Sequence, residues 1–277
     1  MNDVQSGLSE NLNTFLREGY LITQFYDDGL MNIAETLVHD KVGRVGKELG
    51  IETPDSDWEL ANYHKFLGTD QNIHGQLMAA PNRYITLPDS LLAPSELSPI
   101  KDFFDYFWSG EKPLVTHWQG PNGELLPDNA CGFRVVRPGS GDITGAHVDT
   151  YYGYGESADD AANALSSRVE KAIHGLDLIT AWVPVVGFDE RYSLRFAPRS
   201  HAINHPVSAF KHNPDFITRA STSEYESKFD FIRPSLKRGQ AIIFHPNLLH
   251  GGSANLGNTT RVSLEIRFRN PSLAPAA

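Results

Sequence analysis

The chain has 277 residues, of which 40% are apolar or aromatic, and its formal net charge is −10 at pH 7. This apolar content is ordinary for a globular protein and argues against a disordered, collagen-like or coiled-coil chain. Lys and Arg are scattered along the sequence, which therefore offers no basic face to a nucleic acid or another polyanion. No Gly-, Ser- or Pro-rich linker divides the chain, and we expect a single domain over residues 1–277.

Cys131 is the only cysteine in the sequence, which excludes an internal disulfide and a cysteine-based zinc site. The first residues, MNDVQSGLSENL, contain neither the basic nor the apolar region of a secretory signal. No apolar run approaches the ~18 residues that cross a membrane. We therefore expect a cytoplasmic protein that acts on a small-molecule substrate, with no nucleic acid and no membrane as partner. The oligomeric state stays unknown.

Helical patterns dominate residues 1–130, which we expect to form a largely helical support together with the first strands. Apolar residues recur at helical spacing, and capping residues mark the helix ends. The predicted elements are a short helix between Ser9 and Gly19, a strand at 20–25, a helix from Asp27 or Asp28 to Gly50, and a helix over 96–108.

Short β-like runs replace the helical pattern from about residue 131. The 23 Gly and 17 Pro of the chain supply the turns between such runs. Several short strands with frequent turn signals indicate a sandwich or jelly roll. The predicted strands lie at 132–136, 178–186, 193–198, 241–245 and 261–268. One helix interrupts them at 156–175, and it either packs on the edge of the sheet or covers the site as a lid.

His147 and Asp149 form an H-x-D pair that follows a predicted strand and a tight RPGSG turn. A chain with 11 histidines can readily contain one such pair by chance, so the setting of the pair matters more than the pattern itself. In extended backbone, residues i and i+2 lie on the same face. An imidazole and a carboxylate on one face can bind two adjacent positions of a metal ion.

A second imidazole, His250, follows the predicted strand AIIFH and precedes two glycines that allow close approach. The next strand, RVSLEIRF, alternates in polarity, so Arg261 and Ser263 share a face with Glu265 and Arg267. That face lies either in solvent or in the interior of a barrel. In an interior, Arg261 can bind a carboxylate through two parallel hydrogen bonds, and Ser263 adds a hydroxyl.

Two imidazoles and one carboxylate form the facial triad of non-haem Fe(II) oxygenases, which leaves three coordination positions open. A 2-oxo acid can take two of these positions and O2 the third. The residues also permit a cupin-like metal isomerase, a dioxygenase that needs no 2-oxo acid, and a jelly-roll binding protein with an inactive metal site. A hydrolytic zinc enzyme needs a general base near the metal, and the sequence has no clear candidate.

In chain order, these features resemble the phytanoyl-CoA dioxygenase-like family of Fe(II)/2-oxoglutarate oxygenases, which includes ectoine hydroxylase. VVRPGSG with GAHVDTYYG resembles the family's strand, PG turn and H-x-D segment, and TAWVPV resembles its central strand. LRFAPRSH resembles its L-x-F-x-PGSH stretch, although Arg199 replaces the usual glycine. Arg261 follows His250 at the family's spacing. The resemblance implies a mainly β fold with flanking helices and a double-stranded β-helix (jelly-roll, cupin-like) core over 131–270.

The resemblance also implies the ligands of the site. The implied Fe(II) ligands are His147, Asp149 and His250. The implied contacts to 2-oxoglutarate are Arg261, at its distal carboxylate, and Ser263, Arg137 and Trp182. Arg137 stands where relatives often have a lysine that contacts the co-substrate. His245 is a rival to His250, but in an extended strand it points away from the site.

The implied reaction uses O2 and 2-oxoglutarate, hydroxylates an unactivated C–H bond, and releases succinate and CO2. Desaturation and ring formation are variants of it. Tyr151 and Tyr152 follow the metal-binding segment, and their hydroxyl-bearing rings suit a small polar or ring-containing substrate, although ordinary packing is the alternative. The negative net charge of the chain argues against a CoA thioester as the substrate. We expect a free small molecule, such as a natural-product or polar metabolite intermediate.

Overall fold

The structure is a computed structural model, and it describes residues 9–51, 58–79, 82–97, 99–115, 118–119, 124–125, 128–151, 176, 178–212, 219–251 and 253–273. The helix predicted at 156–175 lies outside these residues. The helices are α1 (Glu10–Glu18), α2 (Asp28–Glu48), α3 (Gln71–Leu77), α4 (Asp89–Leu92), α5 (Ile100–Trp108) and α6 (Ser223–Glu226). None of the described helices is long and apolar enough to span a bilayer.

Thirteen strands are present in the described part of the chain. They are β1 (Tyr20–Gln24), β2 (Tyr84–Thr86), β3 (Leu114–Val115), β4 (Trp118–Gln119), β5 (Glu124–Leu125), β6 (Ala130–Val136), β7 (Ala146–His147), β8 (Leu178–Val186), β9 (Phe210–His212), β10 (Arg219–Ser221), β11 (Gln240–Phe244), β12 (His250–Gly251) and β13 (Arg261–Arg269). The mainly β fold class is thereby confirmed.

Capping residues set the ends of the first helices as predicted. The side chain of Ser9 accepts a hydrogen bond from the backbone N–H of Leu12, and Gly19 ends α1 in the left-handed conformation. Asp27 caps α2 in the same way as Ser9 caps α1. The prediction for 96–108 was wrong at its start, because α5 begins at Ile100, directly after Pro99. A proline disfavours the helical conformation in the residue before it, so a helix cannot easily run through this point.

The main sheet is antiparallel, with the strand order β1-β11-β8-β13-β6-β2 and β3 beside β13. The strand at 193–198 was predicted wrongly, because its backbone groups bond to separate segments rather than to one neighbour. Phe196 N donates to the carbonyl oxygen of Ile232 at 3.1 Å, and Ala197 N donates to that of Leu249 at 2.9 Å. Only isolated bridges therefore form here, from Phe196 to Ile232 and to His250.

The two faces of the main sheet differ in chemistry because β13 alternates. One face joins the main apolar core with side chains of α1, α2 and α5, and β13 supplies Val262, Leu264, Ile266 and Phe268 to it. The opposite face carries the polar residues of β13, and cross-strand partners on β6 and β8 lie on that same face. The polar face points into the fold, since Arg261, Ser263 and Arg267 are buried.

A two-stranded sheet of β7 and β12 contributes the other side of this interior. Its register places His147 directly opposite His250, and Ala146 opposite Gly251. Phe196 bridges to His250 on the neighbouring segment. Gly251 is one of the two glycines predicted to allow close approach. It allows β12 to lie close to His147, because a Cβ at Gly251 would lie 2.9 Å from Nδ1 of His147.

Gly239 precedes β11 and has φ +82°, and a Cβ there would overlap the carbonyl oxygen of Tyr26. We expect Gly239→Ala to lower the free energy of unfolding by at least ~1–2 kcal/mol, because the left-handed conformation alone costs an alanine about that much. Gly43→Ala in α2 is the matched control, since a Cβ at Gly43 meets nothing within 4 Å. The control should stabilise the helix by up to ~1 kcal/mol. Urea denaturation of both variants checks the contrast; equal effects would contradict it.

Candidate active site

His147, Asp149 and His250 lie together between the two sheets. One oxygen of Asp149, Oδ1, is 3.9 Å from Nε2 of His147 and 3.9 Å from Nε2 of His250. The three potential ligand atoms all lie within 4.8 Å of one another, and all three residues are buried. This arrangement of two nitrogens and one oxygen fits a metal ion that is held on one side and left open on the other.

Backbone carbonyls orient both imidazoles for this task. Nδ1 of His147 is 2.9 Å from the carbonyl oxygen of Gly145, and Nδ1 of His250 is 2.9 Å from that of Leu248. Because a carbonyl oxygen only accepts, each Nδ1 carries the proton and each Nε2 presents its lone pair to the cluster. Burial, reinforced by His250, lowers the pKa of His147 to about 3, so this imidazole is neutral at pH 7.

The carboxylate of Asp149 is held at both oxygens. Thr180 Oγ1 donates to Oδ2 at 2.7 Å, and Arg267 Nη2 donates to Oδ1 at 3.1 Å. Burial by itself would raise the pKa of Asp149, but the charge of Arg267 and the hydrogen bond from Thr180 hold that pKa below its ordinary value. Asp149 is therefore ionised, as a metal ligand must be.

A pocket opens from this cluster along the polar face of the main sheet. Of the predicted site residues, it is lined by His147, His250, Trp182 and Arg261. Trp182 belongs to an apolar group on the same side of the sheet, with Leu194 and Phe244. Ser263 lies on the face of β13 that bears Arg261 and is fully buried.

Arg261 and Ser263 have buried polar atoms without partners among the described residues. Nη1 of Arg261 donates to the carbonyl oxygens of Tyr192 and Ser253 at 3.0 and 3.1 Å. Its Nε and the Oγ of Ser263 have no hydrogen-bond partner there. Burial lowers the pKa of Arg261 to about 9. Unsatisfied donors of this kind are costly to bury, and a carboxylate in the pocket would satisfy them.

Arg137 lies apart from this group of residues. Its guanidinium makes a bidentate pair with Asp142, at 2.7 and 2.8 Å, and donates to the carbonyl oxygen of Gly68 at 2.9 Å. It also donates to the side chain of Gln71. The structure therefore places Arg137 in a buried network that joins the loop before β7 to the helical part of the chain, and not in the pocket wall.

Three other residues that the sequence analysis considered for the site are either buried elsewhere or have no described side chain. His245 is buried and lies near His201, with ring centroids 5.2 Å apart. It does not belong to the metal-ligand cluster, as the alternation predicted. Tyr151 is described by its backbone alone, in a short 3-10 turn with Asp149, and Tyr152 lies outside the described residues.

Among the residues of the site that the sequence analysis did not assign to it are two arginines, a glutamate and a threonine. Arg134, Glu265 and Arg267 line the pocket, and Thr180 both lines it and holds Asp149. The alternation of polar residues on β13 indicated that Glu265 and Arg267 share a face with Arg261. Arg134 and Thr180 can be placed at the site only when the register of the strands is known. Thr180 is paired with Arg267 across β8 and β13, and Arg134 with Ser263 across β6 and β13.

We expect Asp142→Asn to lower the free energy of unfolding by ~3–5 kcal/mol, because it leaves the buried charge of Arg137 without its partner. Asp142 also lies 3.4 Å from Nε2 of His74. Urea denaturation of Asp142→Asn, Arg137→Met and the double variant checks this. The decreases in the free energy of unfolding of the two single variants should add up to more than the decrease in the double variant, because the two residues are in contact. Strict additivity would show that the pair is not energetically coupled.

Comparisons with known proteins agree with this architecture. The sequence model of the family described as phytanoyl-CoA dioxygenase (PhyH) matches residues 86–263. EctD from S. alaskensis, solved with 2-oxoglutarate and 5-hydroxyectoine, is 12% identical with a TM-score of 0.53, over 98% of this chain and 79% of that one. The non-heme alpha ketoglutarate dependent carbocyclase SnoK from nogalamycin biosynthesis is 12% identical with a TM-score of 0.50, over 95% of this chain and 85% of that one.

No curated protein sequence matches the chain significantly. At 12% identity, the two structural likenesses support the jelly-roll fold and nothing finer. The family match supports a stronger conclusion than the structural likenesses, because residues 86–263 make up more than half of the 277 residues. The chain belongs to the phytanoyl-CoA dioxygenase (PhyH) family.

Proposed function

We propose that the protein is an Fe(II)/2-oxoglutarate-dependent oxygenase that oxidises a C–H bond of a small molecule. His147, Asp149 and His250 would hold the iron through two neutral nitrogens and one carboxylate oxygen. This donor set suits ferrous iron and leaves positions for a chelating acid and for O2. EctD, solved with bound Fe in a second structure, and SnoK, named as dependent on alpha ketoglutarate, support the cofactor assignment.

The observation that carries the proposal is the unsatisfied pair of groups at Arg261 and Ser263. Both have buried polar atoms without partners among the described residues, and both lie on the inward face of β13. A metal isomerase or a dioxygenase without a 2-oxo acid has no need of such a cationic anchor. The distal carboxylate of 2-oxoglutarate would satisfy the Nε of Arg261 and the Oγ of Ser263.

The residues around the iron would keep its coordination open on one side. Thr180 and Arg267 hold the two oxygens of Asp149, which favours binding of the iron through one oxygen. Apolar side chains, among them Trp182 and Phe244, exclude water from the wall of the pocket. Iron and 2-oxoglutarate, when bound, supply an oxidant from O2 and release succinate and CO2.

Hydroxylation is the simplest outcome, in which one oxygen atom of O2 enters succinate and the other the substrate. The carbocyclase SnoK makes ring formation an alternative on this fold. We propose as substrate a free polar metabolite or natural-product intermediate, in line with the 5-hydroxyectoine in the EctD structure. A cytoplasmic location agrees with such a role.

The test is an anaerobic titration of the metal-free protein, first with Fe(II) and then with 2-oxoglutarate, followed by visible absorption. Chelation of ferrous iron by a 2-oxo acid gives a weak charge-transfer band. We expect the band in the wild type and its loss in His250→Ala. His245→Ala is the matched control, because His245 is also buried but lies outside the metal-ligand cluster.

Each other result has a definite meaning. Iron binding without the band would exclude 2-oxoglutarate and favour the cupin-type enzyme. No iron binding at all would favour the jelly-roll binding protein with an inactive site. With the band established, succinate release in the presence of candidate substrates identifies the molecule that is oxidised.

A further inference from the structure

Two loops hold the guanidinium of Arg261 between them. The Tyr192 loop (residues 187–195) follows β8, and the Ser253 loop (residues 253–260) precedes β13. Nη1 of Arg261 donates to the carbonyl oxygens of Tyr192 and Ser253, at 3.0 and 3.1 Å. The orientation of this guanidinium therefore depends on the distance between the two carbonyl groups.

A second arginine, Arg233, connects the same two loops. Its Nη2 donates to the carbonyl oxygens of Arg191 and Ala254, at 2.8 and 2.7 Å. Arg191 comes directly before Tyr192, and Ala254 comes directly after Ser253. The two arginines thus bridge one pair of loops through neighbouring carbonyl groups.

The surroundings of the two arginines differ. Arg261 is buried and lines the pocket, whereas Arg233 is half-buried and is not one of the described residues that line it. Burial lowers the pKa of Arg261, and the nearby positive charges of Arg134 and Arg233 lower it further. Arg233 is therefore close to Arg261 and is placed to act through it, not on a molecule in the pocket.

The backbone at Arg233 is fixed to the body of the fold. Ile232 N donates to the carbonyl oxygen of Phe196 at 2.9 Å, and Phe196 N donates to that of Ile232 at 3.1 Å. Pro234 follows, and a proline restricts the residue before it to extended backbone. With a fixed backbone and two hydrogen bonds at its end, the side chain of Arg233 can hold the two loops at a set separation.

That separation determines what Arg261 offers to a ligand. Nη1 of an arginine carries two hydrogens, and the carbonyl groups of Tyr192 and Ser253 engage both of them. The guanidinium is planar and rigid, so its orientation is then set, and its Nε, which has no partner in the described part of the chain, remains for a carboxylate. If the loops move apart, Nη1 retains only one carbonyl and the guanidinium can rotate. A donor that is already oriented loses less freedom when a ligand binds.

We propose that Arg233 is a positioning residue, which holds the two loops together so that Arg261 is presented to the distal carboxylate of the co-substrate. The inference rests on the proposed function, because it takes 2-oxoglutarate as the co-substrate. It gives a role in co-substrate selection to a residue outside the pocket wall. Arg233 should thus affect the choice between 2-oxo acids and not the binding of iron.

The test compares two 2-oxo acids in the Fe(II)-loaded protein under anaerobic conditions, with the charge-transfer band as the signal for binding. 2-Oxopentanoate chelates iron through the same groups as 2-oxoglutarate but carries a methyl group in place of the distal carboxylate. Arg233→Met should raise the Kd for 2-oxoglutarate about three- to tenfold, a part of what a hydrogen bond to a charged group contributes. The Kd for 2-oxopentanoate and the affinity for iron should not change.

Arg191→Met is the matched control for the loss of a positive charge. The guanidinium of Arg191 pairs with Asp189 in the same loop, and the substitution keeps the backbone carbonyl that Arg233 bonds. The ratio of the two Kd values should stay as in the wild type. Arg233→Lys keeps a donor near the carbonyl groups and should change the ratio less than Arg233→Met. Circular dichroism establishes that each variant is folded.

Three results would overturn the inference. The first is an unchanged Kd for 2-oxoglutarate in Arg233→Met, and the second is an equal weakening of both 2-oxo acids, which a general loss of packing produces. The third is an equal change of the ratio in Arg191→Met, which would show that charge and not the bridge is responsible. Absence of the band in the wild type would instead overturn the proposed function, and with it the role assigned to Arg233.

Discussion

Asp149→Ala is expected to abolish iron-dependent turnover while the fold survives. The substitution removes the only carboxylate of the metal-ligand cluster, and two imidazoles alone hold ferrous iron poorly. Turnover is measured as succinate release from 2-oxoglutarate, and iron affinity by anaerobic titration. Circular dichroism and the thermal midpoint establish that the variant is folded.

The variant also leaves the buried guanidinium of Arg267 without its nearest counter-charge. Asp149→Ala combined with Arg267→Met removes both charges and is the control for instability, since buried pairs are often replaced by apolar groups without loss. The double variant should be more stable than Asp149→Ala and equally inactive. Turnover close to wild type in either variant would remove Asp149 from the metal site.

Arg261→Ala is expected to raise the KM for 2-oxoglutarate by about ten- to a hundredfold. A hydrogen bond to a charged group contributes ~1.5–3 kcal/mol, and ~1.4 kcal/mol corresponds to a factor of ten in affinity. The change should fall mainly on the co-substrate, because Arg261 is a buried cation that lines the same pocket as His147 and His250 but is not itself a metal ligand. Steady-state kinetics with varied 2-oxoglutarate, at saturating iron, measures it.

Two further variants sharpen this prediction. Arg261→Lys keeps the charge but not the two-pronged geometry, so its KM should lie between those of the wild type and the alanine variant. Arg137→Met should leave the KM for 2-oxoglutarate unchanged, because Arg137 is engaged with Asp142. Unaltered co-substrate affinity in Arg261→Ala would show that Arg261 is not the anchor.

Local patterns predicted much of this fold and the central cluster of the site. The alternation of β13 predicts which of its side chains share a face, and the i, i+2 relation brings His147 and Asp149 together. Cap residues such as Ser9 and Asp27 mark helix starts because they bond to backbone N–H groups within the next turn. The single domain over 1–277 and the cytoplasmic location stay predictions.

Relations between distant segments escaped the sequence reasoning. Thr180 lies opposite Arg267 in the register of β8 and β13, and both side chains contact Asp149, which no local pattern reveals. Arg137 illustrates a second limit. β6 ends at Val136, so alternation no longer determines the direction of the next side chain, and a carboxylate five residues later binds it.

The small sheet that brings the two histidines together has a consequence for folding cooperativity. β7 and β12 are each two residues long, yet they join parts of the chain about a hundred positions apart. Closing a loop of this length is entropically costly, and so few hydrogen bonds between β7 and β12 offset little of that cost. A ligand that binds only the native state stabilises it by mass action. Iron would thus act as a non-covalent cross-link between the distant segments that contain β7 and β12, and resistance to unfolding would vary with the free iron concentration.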